Sequence, residues 1–411
     1  MRIFKACAPI YHYTLALIGA LYYRFTSRHI HIVAVTGTKG KTSVVEFINA
    51  ILEADGQKTA LASTLRFKIG NESERNLHKM TTPGRFFLQH FLARAHKAEC
   101  TWAIIEVTSE AAKQYRHRFL HLDAVVVTHI SPEHIESHGS FEKYVQAKYS
   151  IAKALEKSIK KETMLILNDD DPHQASFKDI SARELYTYKL EDAKPYTTEE
   201  DKTTLTFQDT YITSPLPGLV TVYNILAALT FAHAIHIPLA TAQKGIESLA
   251  EIRGRFERVD AGQNFTVLID YAHTADSLEK AYSAFKDKRK ICVLGATGGG
   301  RDKWKRKDIG RIADNNCAEV IITNEDPYDE DPDQIIMDVA SGVTGKEPRI
   351  IRDRRTAIRA GLEHANNNDV VFITGKGTDP YIMGPNGSKE EWSDRDVAEE
   401  ELKKLLTKRH S

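Results

Sequence analysis

In the run Thr36-Gly37-Thr38-Lys39-Gly40-Lys41-Thr42-Ser43, glycines, hydroxyls and lysines follow one another at the spacing needed to hold phosphate. The glycines let backbone N–H groups of residues 37–40 close around phosphate oxygens, and a following helix N-terminus adds its partial positive charge. Lys41 can reach terminal phosphates, and the Thr42 hydroxyl, with Ser43 beside it, can hold Mg²⁺. The first glycine sits closer to the Gly-Lys pair than in the common pattern. The competing reading is a glycine-rich turn that binds nothing. The apolar run before it and the helically spaced run after it, residues 44–52, favour phosphate binding.

Further chemistry is spread along the chain. Glu106 ends an apolar run and can share Mg²⁺ with nucleotide phosphates, or can be an ordinary strand-end acid in solvent. Residues 128–139 (THISPEHIESHG) carry three histidines and two glutamates. There His134 is a candidate for a second Mg²⁺, and His138 assists or caps the loop. Zinc competes for such a cluster, although no Cys or HExxH spacing supports it. By spacing alone, Lys148 reads as a helix-surface lysine. In the second half, Asp270-Tyr271-Ala272-His273, Gly298-Gly299-Gly300-Arg301-Asp302-Lys303 and Gly375-Lys376-Gly377-Thr378-Asp379 each follow an apolar run. Arg301 is suited to bidentate anion binding. Each loop taken alone can be structural. Together they suggest a cleft between two domains, with nucleotide on one wall and an anionic substrate on the other.

These residues need a framework that delivers them to common edges. Short apolar runs at residues 31–35, 102–107, 124–128 and 164–168 alternate with helical stretches, which predicts a largely parallel sheet covered on both faces. Residues 185–207 read as a small antiparallel excursion, and residues 223–235 as a helix after the Leu216-Pro217-Gly218 turn. A second α/β set, with runs at 266–270, 290–294, 319–323 and 369–374, follows a boundary near Glu251. The charged segment 396–408 reads as a helix with a solvated face. At 411 residues, two or three domains are expected. The expected fold is α/β. It has an apolar N-terminal helix (1–29), a central phosphate-loop domain with a mostly parallel sheet (30–250), and a C-terminal Rossmann-like domain (251–411).

Composition narrows the class. Lysine plus arginine equals aspartate plus glutamate at 56 each, which argues against a nucleic-acid partner. The four cysteines, Cys7, Cys100, Cys292 and Cys317, lack metal-ligand spacing and read as reduced thiols of a cytoplasmic protein. The apolar stretch 13–23 is too short to span a bilayer, and Pro9 and His12 are expected to interrupt any extension of it. It reads as a helix packed on the first domain or as one lying on a membrane surface.

The ordered motifs TGTKGKTS, TTPG, EVTS, HISPEHIESHG, YVQAK, NDDD, VYNILAA, RGRFERVD, DYAHTADSLEKA, GGGRDKWKR, GKGTDPY and WSDRDVAEEEL cover roughly residues 31 to 405. In them the chain resembles the Mur ligase family, and within it the MurE type that adds the third amino acid to UDP-N-acetylmuramoyl-dipeptide. The resemblance implies an ATP-dependent ligase working through an acyl phosphate, with two Mg²⁺ ions. It matches Gly37, Thr38, Lys39, Gly40, Lys41, Thr42, Ser43, Asn224, Arg255, Asp270 and His273 to ATP contacts. Thr42 and Glu106 match ligands of the first metal and His134 the second, while Lys148 matches a lysine carbamylated by CO₂. Lys41, Glu106, His134 and Lys148 would therefore form the catalytic set. Thr81, Thr82, Thr108, Gln114 and Arg116 match the muramoyl-peptide pocket. Arg301, Glu325, Asp326, Tyr328, Gly375 and Asp379 match the amino-acid pocket.

Two departures bear on substrate. The family's N-terminal uridine-binding domain has no counterpart in these residues, so the carrier is either a UDP-precursor or a lipid-linked one met at the membrane surface. The specificity loop reads Asn324-Glu325-Asp326-Pro327-Tyr328 where diaminopimelate-adding members carry Asp-Asn-Pro-Arg. Tyr328 cannot replace that arginine, and the acidic surround suits a distal amine, so lysine or ornithine is favoured. The expected protein is a cytoplasmic monomer, with peripheral membrane contact through residues 1–29 open. The competing functions are a subunit of an amidating complex acting on a lipid-linked muramoyl peptide, and a nucleotide-binding scaffold without ligase activity.

Overall fold

The computed structural model describes residues 2–133, 135–300 and 303–409. They divide into two compact units. The first contains the chain up to Thr197, Thr203–Pro215 and Val220–Ala250. The second contains Thr198–Lys202, Leu216–Leu219 and everything from Glu251 on.

The first unit is built on an eight-stranded sheet in the order β4-β3-β2-β5-β1-β6-β7-β8. Its strands are β1 (His31–Thr36), β2 (Thr59–Ala62), β3 (Arg66–Ile69), β4 (Glu72–Arg75), β5 (Trp102–Glu106), β6 (Ala124–Val127), β7 (Met164–Asn168) and β8 (Glu184–Tyr188). The six strands from β2 to β8 in that order run parallel, and β3 and β4 turn back as an antiparallel edge. Near-continuous burial of β1, β5, β6 and β7 shows that both faces are covered, which parallel strands require. A small sheet of β9 (Tyr196–Thr198), β10 (Thr203–Phe207) and β11 (Thr210–Ser214) follows. The helices are α1 (Arg2–Tyr22), α2 (Lys41–Ala54), α3 (Arg85–Lys97), α4 (Ser109–Lys113), α5 (Ile135–His138), α6 (Phe141–Ala152), α7 (Leu219–Ala234) and α8 (Leu239–Glu247).

The second unit has a six-stranded sheet in the order β12-β13-β17-β14-β15-β16. Its strands are β12 (Glu257–Arg258), β13 (Thr266–Asp270), β14 (Lys290–Leu294), β15 (Glu319–Ile322), β16 (Arg349–Ile350) and β17 (Val370–Thr374). All pairings but that of β12 are parallel. A β18 (Tyr381–Met383)–β19 (Lys389–Glu391) hairpin follows. The helices are α9 (Ala275–Ser283), α10 (Lys305–Asn316), α11 (Pro332–Ala340), α12 (Arg354–Glu363) and α13 (Asp394–Arg409). Each unit is thus α/β around one main, mostly parallel sheet, as expected.

Four local expectations need correction. Helix α1 continues through Pro9 and His12, giving up one backbone donor at the proline rather than stopping there. The strand at 184–188 joins the main sheet parallel to β7, so the antiparallel excursion starts only at Tyr196. Cys292 and Cys317 form a disulfide across 25 residues, because β14 and the end of α10 bring their Cα atoms to 6.0 Å. The reading of reduced thiols therefore fails at that pair, while Cys100 is free and buried. Helix α13 is not simply solvated: Val397, Ala398, Glu401 and Leu402 are buried along one side.

Candidate functional site

The register of β1 positions the site residues of the first unit. Val35 pairs with Glu106 and Thr36 with Val127, so the loop after β1 emerges beside the carboxyl ends of β5 and β6. Gly40 caps α2 at φ +85°, a conformation an L side chain rarely adopts, and a Cβ there would collide with Asn224 Oδ1 on α7. The loop is pinned from β6: Thr128 Oγ1 donates to the Lys39 carbonyl at 2.6 Å, and Thr38 N donates to His129 O at 2.5 Å. Lys41 Nζ folds back on Thr38 O at 3.0 Å.

Glu106 is the junction. Its Oε2 accepts from Thr42 Oγ1 at 3.1 Å and from both Thr64 N and Thr64 Oγ1 at 3.0 Å. Thr64 Oγ1 in turn meets Thr81 Oγ1 at 2.8 Å, and Thr82 Oγ1 donates to the Glu106 carbonyl at 3.2 Å. Arg116 donates to Thr82 O and, at 2.8 Å, to Gln114 Oε1. One buried carboxylate therefore joins the phosphate loop to the segment 81–82 and, through it, to Gln114 and Arg116. Thr108 sits at the start of α4, where its hydroxyl accepts from Ala111 N at 3.1 Å. Thr42 and Glu106 are both hard oxygen donors, a set that suits Mg²⁺ completed by phosphate oxygens. Among the described residues no three His, Cys, Asp or Glu side chains form a ready-made metal cluster.

Lys148, on α6, is fully buried rather than a surface lysine, and its Nζ donates to Gly37 O at 2.5 Å. Burial, reinforced by the nearby Lys41 charge and opposed by Glu133 and Glu106, holds its ammonium well below the usual lysine range. The Tyr144 ring lies one helical turn back, 4.5 Å from Nζ, and its hydroxyl meets Thr38 Oγ1 at 2.8 Å. Burial also lowers His138, which stands edge-on to Tyr144 at 5.4 Å. Ser43 is buried in the first turn of α2. His134 and Arg301 lie outside the described residues.

In the second unit, Asp270 ends β13 and its oxygens accept from Phe256 N at 2.9 Å and Ala272 N at 2.8 Å. Burial raises its carboxyl, against the lowering charge of Arg255. Arg255 stacks 5.1 Å over Tyr271, and His273 Nδ1 is 2.7 Å from Tyr271 O. Around the specificity loop, Asp326 is committed internally: its Oδ1 accepts from Lys376 Nζ at 2.9 Å and Met383 N at 2.8 Å. Asp379 lies 3.8 Å from the same Lys376 ammonium. Glu325 differs. Its Oε1 accepts from Thr297 at 2.6 Å, while Oε2 is buried without a hydrogen-bond partner and faces the space a side chain at Gly375 would fill. Tyr328 adopts φ +53° and its ring covers Gly299.

Sequence reasoning passed over Thr64, Tyr144 and Lys376 as site residues. Tyr144 had a signal, since it precedes Lys148 by four residues on one helix face. Thr64 had none, because its role depends on β2 lying next to β5.

Comparison with known proteins follows the same lines. The family described as "Mur ligase middle domain" matches residues 35–232, and "Mur ligase, glutamate ligase domain" matches residues 254–377. The UDP-N-acetylmuramoyl-L-alanyl-D-glutamate–2,6-diaminopimelate ligase of Halalkalibacterium halodurans is 32% identical, over 96% of this chain and 82% of that protein. The UDP-N-acetylmuramyl-tripeptide synthetase of a Roseiflexus species is 35% identical, over 90% and 78%. A solved UDP-N-acetylmuramoyl-L-alanyl-D-glutamate–2,6-diaminopimelate ligase superposes with TM-score 0.62 at 27% identity, covering 92% of this chain and 79% of its own. The folylpolyglutamate synthase of Mycobacterium tuberculosis reaches TM-score 0.74 at 16% identity, over 89% and 93%, a likeness of fold alone.

Proposed function

This chain belongs to the Mur ligase family and is an ATP-dependent ligase, and we propose that it joins an amino acid to UDP-N-acetylmuramoyl-dipeptide in peptidoglycan precursor synthesis. The observation that carries the reading is the Glu106 junction: its carboxylate holds Thr42 of the phosphate loop and, through Thr64, Thr81, while its backbone carbonyl holds Thr82, to which Arg116 donates. An acceptor carboxylate held by Thr81, Thr82 and Arg116 would lie beside the loop that holds the γ-phosphate. Its oxygen attacks phosphorus, ADP leaves, and the acyl phosphate is then opened by an amine with loss of phosphate and a proton. Lys41 would stabilise charge on the transferring group, as pre-placed cations do. Thr42 and Glu106 would hold one Mg²⁺, and His134 with Lys148 a second. When bound, these ions neutralise the phosphoryl oxygens.

The buried Lys148 supports a carbamate. An uncharged amine is the form that adds CO₂, and its desolvated position beside Gly37 disfavours the ammonium. Asn224, Arg255, Asp270 and His273 would contact the nucleotide. Thr108 and Gln114 would help hold the muramoyl peptide.

For the incoming amino acid, Arg301 would take the α-carboxylate. The unpartnered Glu325 oxygen beside Gly375 is the acceptor a distal ammonium would find, with Asp326 and Asp379 acting through Lys376. Tyr328 offers no charge to a distal carboxylate. Lysine or ornithine is therefore favoured. The name of the Halalkalibacterium halodurans relative carries diaminopimelate, which makes this choice a sharp test. Product mass with UDP-N-acetylmuramoyl-dipeptide and a panel of lysine, ornithine, diaminopimelate and glutamate decides it. Addition of lysine or ornithine supports the reading. Addition of diaminopimelate alone overturns the role given to Glu325 and Tyr328 while leaving the ligase in place. Both nucleotide substrates belong to the cytoplasm, where the reaction would run as a monomer.

A further inference from the structure

Helix α1 has two unlike sides. Ala16 and Ala20 are buried, Gly19 lies against the Phe86 ring of α3, and Tyr13 packs edge-on to Phe119 at 5.2 Å. At about 100° per residue, Ile10, Tyr11, Thr14, Ile18, Leu21 and Tyr22 share an arc of about 120° on the opposite side. That arc is open: Ile10 is 71%, Leu21 57% and Tyr22 75% exposed. Among the described residues no helix is long and apolar enough to cross a membrane, so the arc is not one side of a spanning segment.

The three segments that meet at this arc carry charge of one sign. No Asp or Glu occurs in residues 1–45, 76–98 or 111–122, the three segments that meet here. Arg24 and Arg28 are exposed beyond the C-terminal end of α1, and Arg94 and Lys97 along α3. Glu72 and Glu74 stand at the margin, lining a hollow with His90 and Arg94. Apolar residues mixed with tyrosines and rimmed by cations are the composition that settles at a headgroup boundary. A second copy packed with the two helices parallel would bring Arg24 and Arg28 near their own counterparts.

We propose that the outer arc of α1 docks the protein on the surface of an anionic lipid bilayer, lying in its headgroup region without crossing it. This inference is independent of which muramoyl peptide or amino acid the ligase uses.

The test is co-sedimentation of the full chain with phosphatidylcholine vesicles with and without phosphatidylglycerol, at low salt. Binding to the phosphatidylglycerol vesicles is expected, and Ile18→Glu/Leu21→Glu lowers it by about tenfold or more at unchanged unfolding temperature. Arg24→Glu/Arg28→Glu, which leaves the apolar arc intact, removes the preference for phosphatidylglycerol. No binding to either vesicle, or binding that both double variants leave unchanged, overturns the proposal. So does a dimer in solution that Ile18→Glu/Leu21→Glu dissociates, which would assign the arc to a second copy.

Discussion

Lys148 is the residue whose surroundings say most about the chemistry. A lysine sealed beneath a phosphate loop, held by Gly37 O and the Tyr144 ring, cannot be there for solubility. We expect Lys148→Ala to lose on the order of 10²–10³-fold in kcat while KM for ATP changes by only a few-fold. Added acetate, by occupying the vacated space with a carboxylate, should restore part of the rate. A variant as active as the parent in steady-state assays would remove Lys148 from the mechanism. At the specificity loop, Tyr328→Arg should raise kcat/KM for diaminopimelate relative to lysine, by about tenfold for one new charged contact. No change in that ratio would contradict the reading of the loop. The phosphate loop was legible in sequence because its chemistry is local to a few consecutive residues, whereas Glu106 on its own read equally as a strand-end acid. Lys148 was not legible, since spacing alone gave a surface lysine and only the resemblance singled it out.

Strand register and helix docking place these residues. The pairing of Val35 with Glu106 turns two separate motifs into one site, and no periodicity in either strand reveals that neighbour relation. The left-handed turn at Gly40 is similarly committed. Gly40→Ala should weaken ATP binding by more than about tenfold in calorimetric titration, because the methyl meets Asn224 and the backbone conformation costs about 1 kcal/mol. Helix α13 gives a pH prediction. Burial alone would raise the Glu401 carboxyl, but hydrogen bonds from Arg359, Lys404 and Arg355 outweigh it and hold it down to about 2. A carboxyl lowered in the folded state contributes stability above its unfolded value, lost as pH falls from about 4.5 toward 2. With half-exposed partners screened by water, Glu401→Gln should cost about 1 kcal/mol near neutral pH and almost nothing near pH 2. Urea midpoints at both pH values check this. The charged sequence of α13 suggested a solvated face and was silent on the other. The buried Val397, Ala398 and Leu402 supply that other face, since a sparse apolar stripe is enough to dock a helix already pinned by ion pairs.

Across the whole molecule, alternation of buried runs with helices was enough to foresee two α/β sheets, because parallel strands covered on both faces leave a plain apolar signature. What sequence did not reveal were contacts between distant segments: the Cys292–Cys317 bridge, the parallel edge strand at 184–188, and the Thr64 link between the loop and Thr81. The central claim is that one site activates a muramoyl-peptide carboxylate with ATP and passes it to an amine. The direct measurement is phosphate release from ATP and Mg²⁺, with and without UDP-N-acetylmuramoyl-dipeptide and an amino acid. Sustained release only when acceptor and amino acid are both present, with a product heavier by one residue, is the predicted result. Sustained release without the muramoyl peptide, or none from protein that binds ATP and both other substrates, would contradict it.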